Sequence, residues 1–139
     1  MKTINMFTFP IRVYYEDTDA GRVVFYANYL KFFERARTEW LRHLGIHQSD
    51  LMEKDQCMFV VVDTQVKYKR PAKLDDQIFI LSTIEKLTAS SVVFAQKAYR
   101  GETLLVESLI RICAVHSETF RPISIPTHIR NLFESAQES

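Results

Sequence analysis

Glycine is scarce: Gly21, Gly45 and Gly101 are the only three in 139 residues. A glycine-rich dinucleotide or phosphate loop is therefore excluded. Cysteine is scarcer still. Cys57 and Cys113 cannot supply a disulfide framework or a zinc set, and each lies in an apolar stretch, so both read as reduced core residues. No excess of one charge exists: 18 Lys and Arg face 17 Asp and Glu, a net charge of +1. That excludes nucleic-acid binding driven by bulk charge. Long apolar runs are missing too. The longest, Cys57 to Val62, falls far short of the roughly 20 residues of a membrane span, so no membrane insertion is expected. Pro10 and Arg12 interrupt the start before an apolar stretch of signal-peptide length, so no secretory signal is read there. The expected location is the cytoplasm.

What remains is an ordinary globular composition, 47% apolar and 25% charged, of a length that suits a single domain over residues 1–139. Residues 7–16 are rich in aromatic and β-branched types and read as a strand, with Pro10 at an edge or bend. Residues 27–44 read as a helix. At 100° per residue, Tyr29, Phe33, Ala36, Trp40 and Leu44 fall within about 80° of one another. Leu30, Phe32 and Leu41 widen that stripe, and Gly45 is placed as the left-handed cap. Four strands follow: 58–69, 77–86, 91–100 and 103–116, read as sequential antiparallel hairpins, with Gly101-Glu102 as the last turn. In the first of them Val60, Val62, Val66 and Tyr68 are expected on one face. The tail carries a short amphipathic helix using Ile129, Leu132, Phe133 and Ala136. One long helix with an antiparallel sheet is an α+β architecture. The last strand is apolar on both faces, which predicts a homodimer or larger.

The segment from Val13 to Tyr29 joins the first strand to the helix. It holds Glu16, Asp17 and Asp19, the first glycine, and a helix amino end with its unpaired N–H groups. Such an end suits an anion or a developing oxyanion, and a nearby carboxylate suits a nucleophile or general base. An acidic turn capped by its own Asp side chains would look the same.

The run Tyr15-Glu-Asp-Thr-Asp-Ala-Gly-Arg-Val-Val-Phe-Tyr-Ala-Asn-Tyr29, with Phe33-Glu-Arg-Ala-Arg-Thr-Glu39, resembles the signature of the 4-hydroxybenzoyl-CoA thioesterase family of the hotdog fold. Its closest likeness within that family is to the branch associated with the bacterial Tol–Pal envelope system. Phe59-Val-Val61, Val66-Lys-Tyr68 and Pro71-Ala-Lys-Leu-Asp-Asp76 are similar as well, and the likeness covers roughly residues 9–120. It implies a hotdog fold, one long central helix wrapped by a five-stranded antiparallel sheet. It implies an acyl-CoA thioesterase with Asp19 as the catalytic carboxylate and the Tyr26 backbone N–H as the donor to the thioester carbonyl. Tyr15, Gly21, Asn28 and Tyr29 of the same run fall at substrate-contacting positions, Gly21 by letting the loop approach closely. Coenzyme A belongs to the substrate, so no cofactor and no metal is implied. An acyl carrier protein is a possible alternative thioester donor, and the active site would lie at a subunit interface of a homodimer or tetramer.

Coenzyme A is polyanionic, and Lys67, Lys69, Arg70 and Lys73 cluster within seven residues. Lys69 and Arg70 are the candidates for phosphate contact, though a solvated sheet face would also carry such residues. The resemblance adds Ser90 and Ser91, at the start of a strand, near the nucleotide or pantetheine. Glu34 is a further carboxylate on the helix, but Arg37 three residues on favours an ion pair. The four histidines have no zinc spacing. None lies in 14–29, which disfavours a hotdog dehydratase. The competing function is a non-catalytic acyl-CoA or acyl-carrier adaptor of the Tol–Pal system.

Overall fold

The computed structural model describes residues 6–137; the first five residues of the stretch read for a signal, and the last two of the 1–139 domain, lie outside the described residues. The elements run β1 (Phe7–Arg12), α1 (Tyr26–His43), α2 (Gln48–Asp55), β2 (Cys57–Tyr68), β3 (Gln77–Leu87), β4 (Ser91–Arg100), β5 (Thr103–His116) and α3 (Thr127–Gln137). The strands form one five-stranded sheet in the order β1-β3-β4-β5-β2, antiparallel at every pairing. This is the α+β architecture read from the sequence pattern and the hotdog arrangement that the family resemblance implies.

Strands β3, β4 and β5 are the expected sequential hairpins. Strand β2 is not: it pairs with β5, at the far edge from β1. The residues between β2 and β3 therefore cross the sheet end, and this places Lys69 to Ala72 beside the start of α1. The strand read over 7–16 ends at Arg12, and a single 3₁₀ turn, Tyr15–Asp17, follows. Helix α2 was not foreseen. It buries only Leu51, too little apolar periodicity to read from sequence.

Helix α1 buries Tyr29, Phe32, Phe33, Ala36, Trp40 and Leu41. Leu30, expected on the stripe, is 42% exposed; the buried arc lies on the Phe32 side instead. Gly45 takes φ +90° as the residue after the cap, where a side chain would be strained. Arg37 is buried, but not against Glu34 as expected. Its Nη1 donates to Gln96 Oε1 at 2.9 Å, while Gln96 Nε2 donates to Phe33 O and Ser82 Oγ. Burial without a contacting carboxylate pulls the Arg37 pKa down to about 10, against a smaller opposing pull from Glu34. Glu34 accepts instead from the Thr38 hydroxyl.

The expected face of β2 is broken by a bulge between Val61 and Asp63. Directly opposed residues share a face. Phe59 and Val61 lie opposite Ala114 and Ile112, and Val66 and Tyr68 lie opposite Ser108 and Val106; these four β5 residues are buried on the helix side of the sheet. The helix-facing set is thus Phe59, Val61, Val66 and Tyr68; Val60 belongs to the other side. Cys57 is fully buried, and Cys113 only partly. Burial, helped by Asp55, pushes the Cys57 thiol up to about 11. Helix α3 closes the core with Ile129, Phe133 and Ala136 buried, Phe133 meeting the rings of Phe59 and Phe94.

The far face of the sheet carries a groove of about 490 Å³ that includes Leu81, Ala95 and Leu109, rimmed by Lys67, Lys97, Glu85 and Glu107. This is the second apolar face anticipated from β5. Among the described residues no helix is long and apolar enough to cross a membrane.

Candidate active site

The loop from Asp17 to Phe25 is built almost entirely by backbone pairing. Arg22 N–H donates to Asp19 O at 2.9 Å and Asp19 N–H to Val23 O at 3.0 Å, so residues 19–22 make a tight turn. Arg22 completes it at φ 63°. Thr18 and Val24 bridge below the turn, and Val24 N–H donates to Ala72 O at 2.9 Å. The turn thus lies against the 69–72 segment delivered by the β2–β3 crossing.

The two aspartates of the Asp-x-Asp pair separate cleanly. Asp17 is buried; its carboxylate accepts the Tyr14 N–H at 2.9 Å. Its carbonyl accepts Phe25 N–H at 3.1 Å and Asn28 Nδ2 at 2.9 Å. Asp17 is a structural tie. Asp19 is exposed. Its Oδ1 accepts the Gly21 N–H at 2.8 Å, and Oδ2 has no partner among the described residues. One oxygen is aimed and the other is open, as a nucleophile or base requires.

Gly21 serves a purpose that its sequence position alone does not show. A Cβ there would lie 3.2 Å from Asp19 Oδ1. The absent side chain makes room for the carboxylate that its N–H holds. Asn28, a candidate for substrate contact, instead is buried and pins the helix start to the loop through Asp17.

Helix α1 begins at Tyr26, with Phe25 as an N-cap whose side chain makes no capping bond. Asn28 N–H is taken by Phe25 O, but no acceptor among the described residues faces the N–H of Tyr26 or Ala27. Two donors at the positive end of a helix of 18 residues therefore stand open.

Asp19, Tyr26, Tyr29, Tyr68, Lys69 and Arg70 share the wall of one cavity of about 360 Å³. It is smaller than the groove on the far sheet face, but unlike that groove it joins an exposed carboxylate, open helix N–H groups and two cations. Tyr29 is held at its base, accepting the Ala72 N–H on its hydroxyl at 3.0 Å. Burial raises its pKa, which keeps it a neutral phenol. Tyr68, not among the candidates from sequence, lies over the helix start.

The expected basic strip divides. Lys69 and Arg70 reach the cavity, whereas Lys67 faces the other groove. Tyr15 is 82% exposed beside the loop and does not line the cavity. Ser90 and Ser91 are not brought to it within one chain. Tyr68 pairs with Val106 and Ser91 with Cys113, seven residues apart along β5 and so roughly 23 Å at the usual rise. Ser91 is buried there, 2.7 Å from the Thr88 hydroxyl.

A family model described as the thioesterase superfamily matches residues 21–107. The chain belongs to the thioesterase superfamily. This bears out the family resemblance read from the Tyr15–Tyr29 run. The chain is 40% identical over 129 residues to the acyl-CoA thioesterase YbgC of Haemophilus influenzae, covering 93% of this chain and 95% of that protein. It is 43% identical over 125 residues to the acyl-CoA thioester hydrolase YbgC of Escherichia coli, with 89% and 92% covered. Among solved structures, a probable thioesterase from Bartonella henselae superposes with a TM-score of 0.83 at 33% identity, covering 87% of this chain and 99% of that one. Within this superfamily member, no three His, Cys, Asp or Glu side chains converge as metal ligands would among the described residues.

Proposed function

We propose that this thioesterase hydrolyses acyl-CoA with Asp19 as nucleophile or general base and the free N–H groups at the start of α1, Tyr26 foremost, as oxyanion donors. The observation that carries the reading is the pairing of an aimed, exposed Asp19 carboxylate with an uncapped helix end in one cavity. As base, Asp19 takes a proton from water while the hydroxide adds to the thioester carbon. As nucleophile, its Oδ2 adds directly and water later cleaves the mixed anhydride. In both routes the carbonyl oxygen gains charge that the helix end stabilises, the carbon–sulfur bond breaks, and CoA leaves as thiolate. A fixed donor of this kind supplies on the order of 10²–10³-fold. Lys69 and Arg70 at the mouth suit the CoA phosphates. The named activities of the two YbgC relatives support acyl-CoA as the substrate.

The same reading places the site at a dimer interface. Strand β2 is a 12-residue edge, with Val61 and Val62 each about half exposed. A long apolar edge invites pairing with a second copy. Antiparallel pairing of two β2 edges brings the Ser90 end of one protomer beside the Tyr68 end of the other. Ser90 and Ser91 could then reach CoA held by the neighbouring subunit. A cytoplasmic setting suits an acyl-CoA substrate.

The test is thiol release from short, medium and long acyl-CoAs and from benzoyl-CoA. Turnover of at least one is expected. CoA or acyl-carrier binding with no hydrolysis of any would overturn the enzymatic reading in favour of the Tol–Pal adaptor.

A further inference from the structure

Most helix starts are closed by a Ser, Thr, Asp or Asn side chain that takes up the first N–H groups. Helix α1 has none, and its first turn holds no acidic residue. A cap would occupy the place that the proposed oxyanion needs. The first turn must therefore be held by a group that leaves its N–H donors untouched. Asn28 ties its buried side to Asp17. On the exposed side stands Tyr68, the last residue of β2.

The Tyr68 hydroxyl donates to the Tyr26 carbonyl at 3.3 Å. Its ring lies 4.8 Å from the ring of Tyr26 and 5.7 Å from that of Tyr29, centroid to centroid. Burial raises its pKa, which keeps the hydroxyl proton in place. The Tyr26 carbonyl and the Ala27 N–H belong to one planar peptide unit. Fixing the carbonyl therefore fixes that N–H and, through the Tyr26 backbone, the neighbouring donor. A bond accepted by the carbonyl also polarises its peptide and strengthens the N–H as a donor.

We propose that Tyr68 is a positioning residue for the oxyanion donors: its hydroxyl acts through the Tyr26–Ala27 peptide, while its ring walls the acyl cavity. This rests on the thioesterase reading of the Asp19 site. The two parts of Tyr68 have separable signatures. Tyr68→Phe removes only the hydroxyl and keeps the tilted ring contacts with Tyr26 and Tyr29. It is expected to lower kcat about three- to tenfold, the effect of one ordinary hydrogen bond. KM should change less than twofold and the pH profile should not move. Tyr68→Leu also removes the ring, and should lower kcat at least as far and raise KM.

Both variants and wild type are compared by steady-state thiol release from the best acyl-CoA, with a thermal melt of each. Wild-type kcat in Tyr68→Phe overturns the proposal, as does an effect confined to KM. A melting temperature lowered by more than about 5 °C in that variant assigns Tyr68 a structural role and also overturns it. A wild type that cleaves no acyl-CoA overturns both this proposal and the reading beneath it. An active wild type with an indifferent Tyr68→Phe overturns the Tyr68 role alone.

Discussion

Replacing Gly21 by alanine isolates the aiming of Asp19 from its presence. Gly21 does not adopt a positive φ, so the backbone accepts alanine. The new Cβ would stand 3.2 Å from Asp19 Oδ1, tighter than ordinary van der Waals contact. The carboxylate must retreat by a few tenths of an ångström, and the 2.8 Å bond from the Gly21 N–H lengthens or bends. A hydrogen bond to a charged group is worth about 1.5–3 kcal/mol. Losing half of it costs about 0.75–1.5 kcal/mol of alignment, or roughly four- to thirteenfold in kcat. Stability should hardly change, because alanine restricts the unfolded chain and offsets the local crowding. The assay is thiol release under saturating acyl-CoA, with melting temperatures measured alongside. A variant with wild-type kcat would refute the claim that the Gly21 N–H aims the reacting carboxylate. So would a loss that simply tracks unfolding.

Other perturbations probe the scaffold. Asn28→Ala removes the side-chain donor to Asp17 O; that carbonyl keeps Phe25 N–H, so the cost should be about 1 kcal/mol, a fall of roughly 2–4 °C in thermal melting. Asp76 is partly desolvated, which alone would raise its pKa, but the Lys73 N–H and Arg100 outweigh that and hold it below the ordinary carboxylate value. A depressed folded pKa gives stability that is present above the unfolded value of about 3.9 and is lost as pH falls through the lower folded value. Wild type should therefore melt higher than Asp76→Asn at pH 7, and the gap should close in acid; a gap independent of pH would contradict this. Val62→Lys places a charge on the half-exposed edge and should shift sedimentation toward monomer while lowering turnover.

Much of the fold was legible because its signals are local. The apolar stripe from Tyr29 to Trp40 marked α1, and Gly45 and Gly101 marked its end and the last hairpin. What escaped depended on tertiary pairing. The partner of β2 is set by closure of the sheet, and the bulge at Val62 moved Val60 off the expected face while Val66 and Tyr68 kept it. Arg37 was expected to meet a carboxylate in its own helix, but found the Gln96 amide across the sheet, 59 residues away. In the site, the family resemblance already assigned the chemistry to Asp19 and Tyr26, whereas the bonds that make Asp17 a buried tie depend on the folded loop. Asn28 sits in the same motif and turned out to tie the loop. Tyr68 was legible as a strand residue but not as a site residue: it acquires that position only when the crossing after β2 folds over α1.

Asp19 is expected to perform the chemistry while its neighbours hold the fold. The direct measurement is kcat/KM for Asp19→Asn against wild type on the best acyl-CoA, with melting temperature and oligomeric state recorded for both. A loss of about 10²–10⁴-fold is expected, with folding and assembly unchanged. Turnover within a fewfold of wild type from a folded Asp19→Asn enzyme would contradict it.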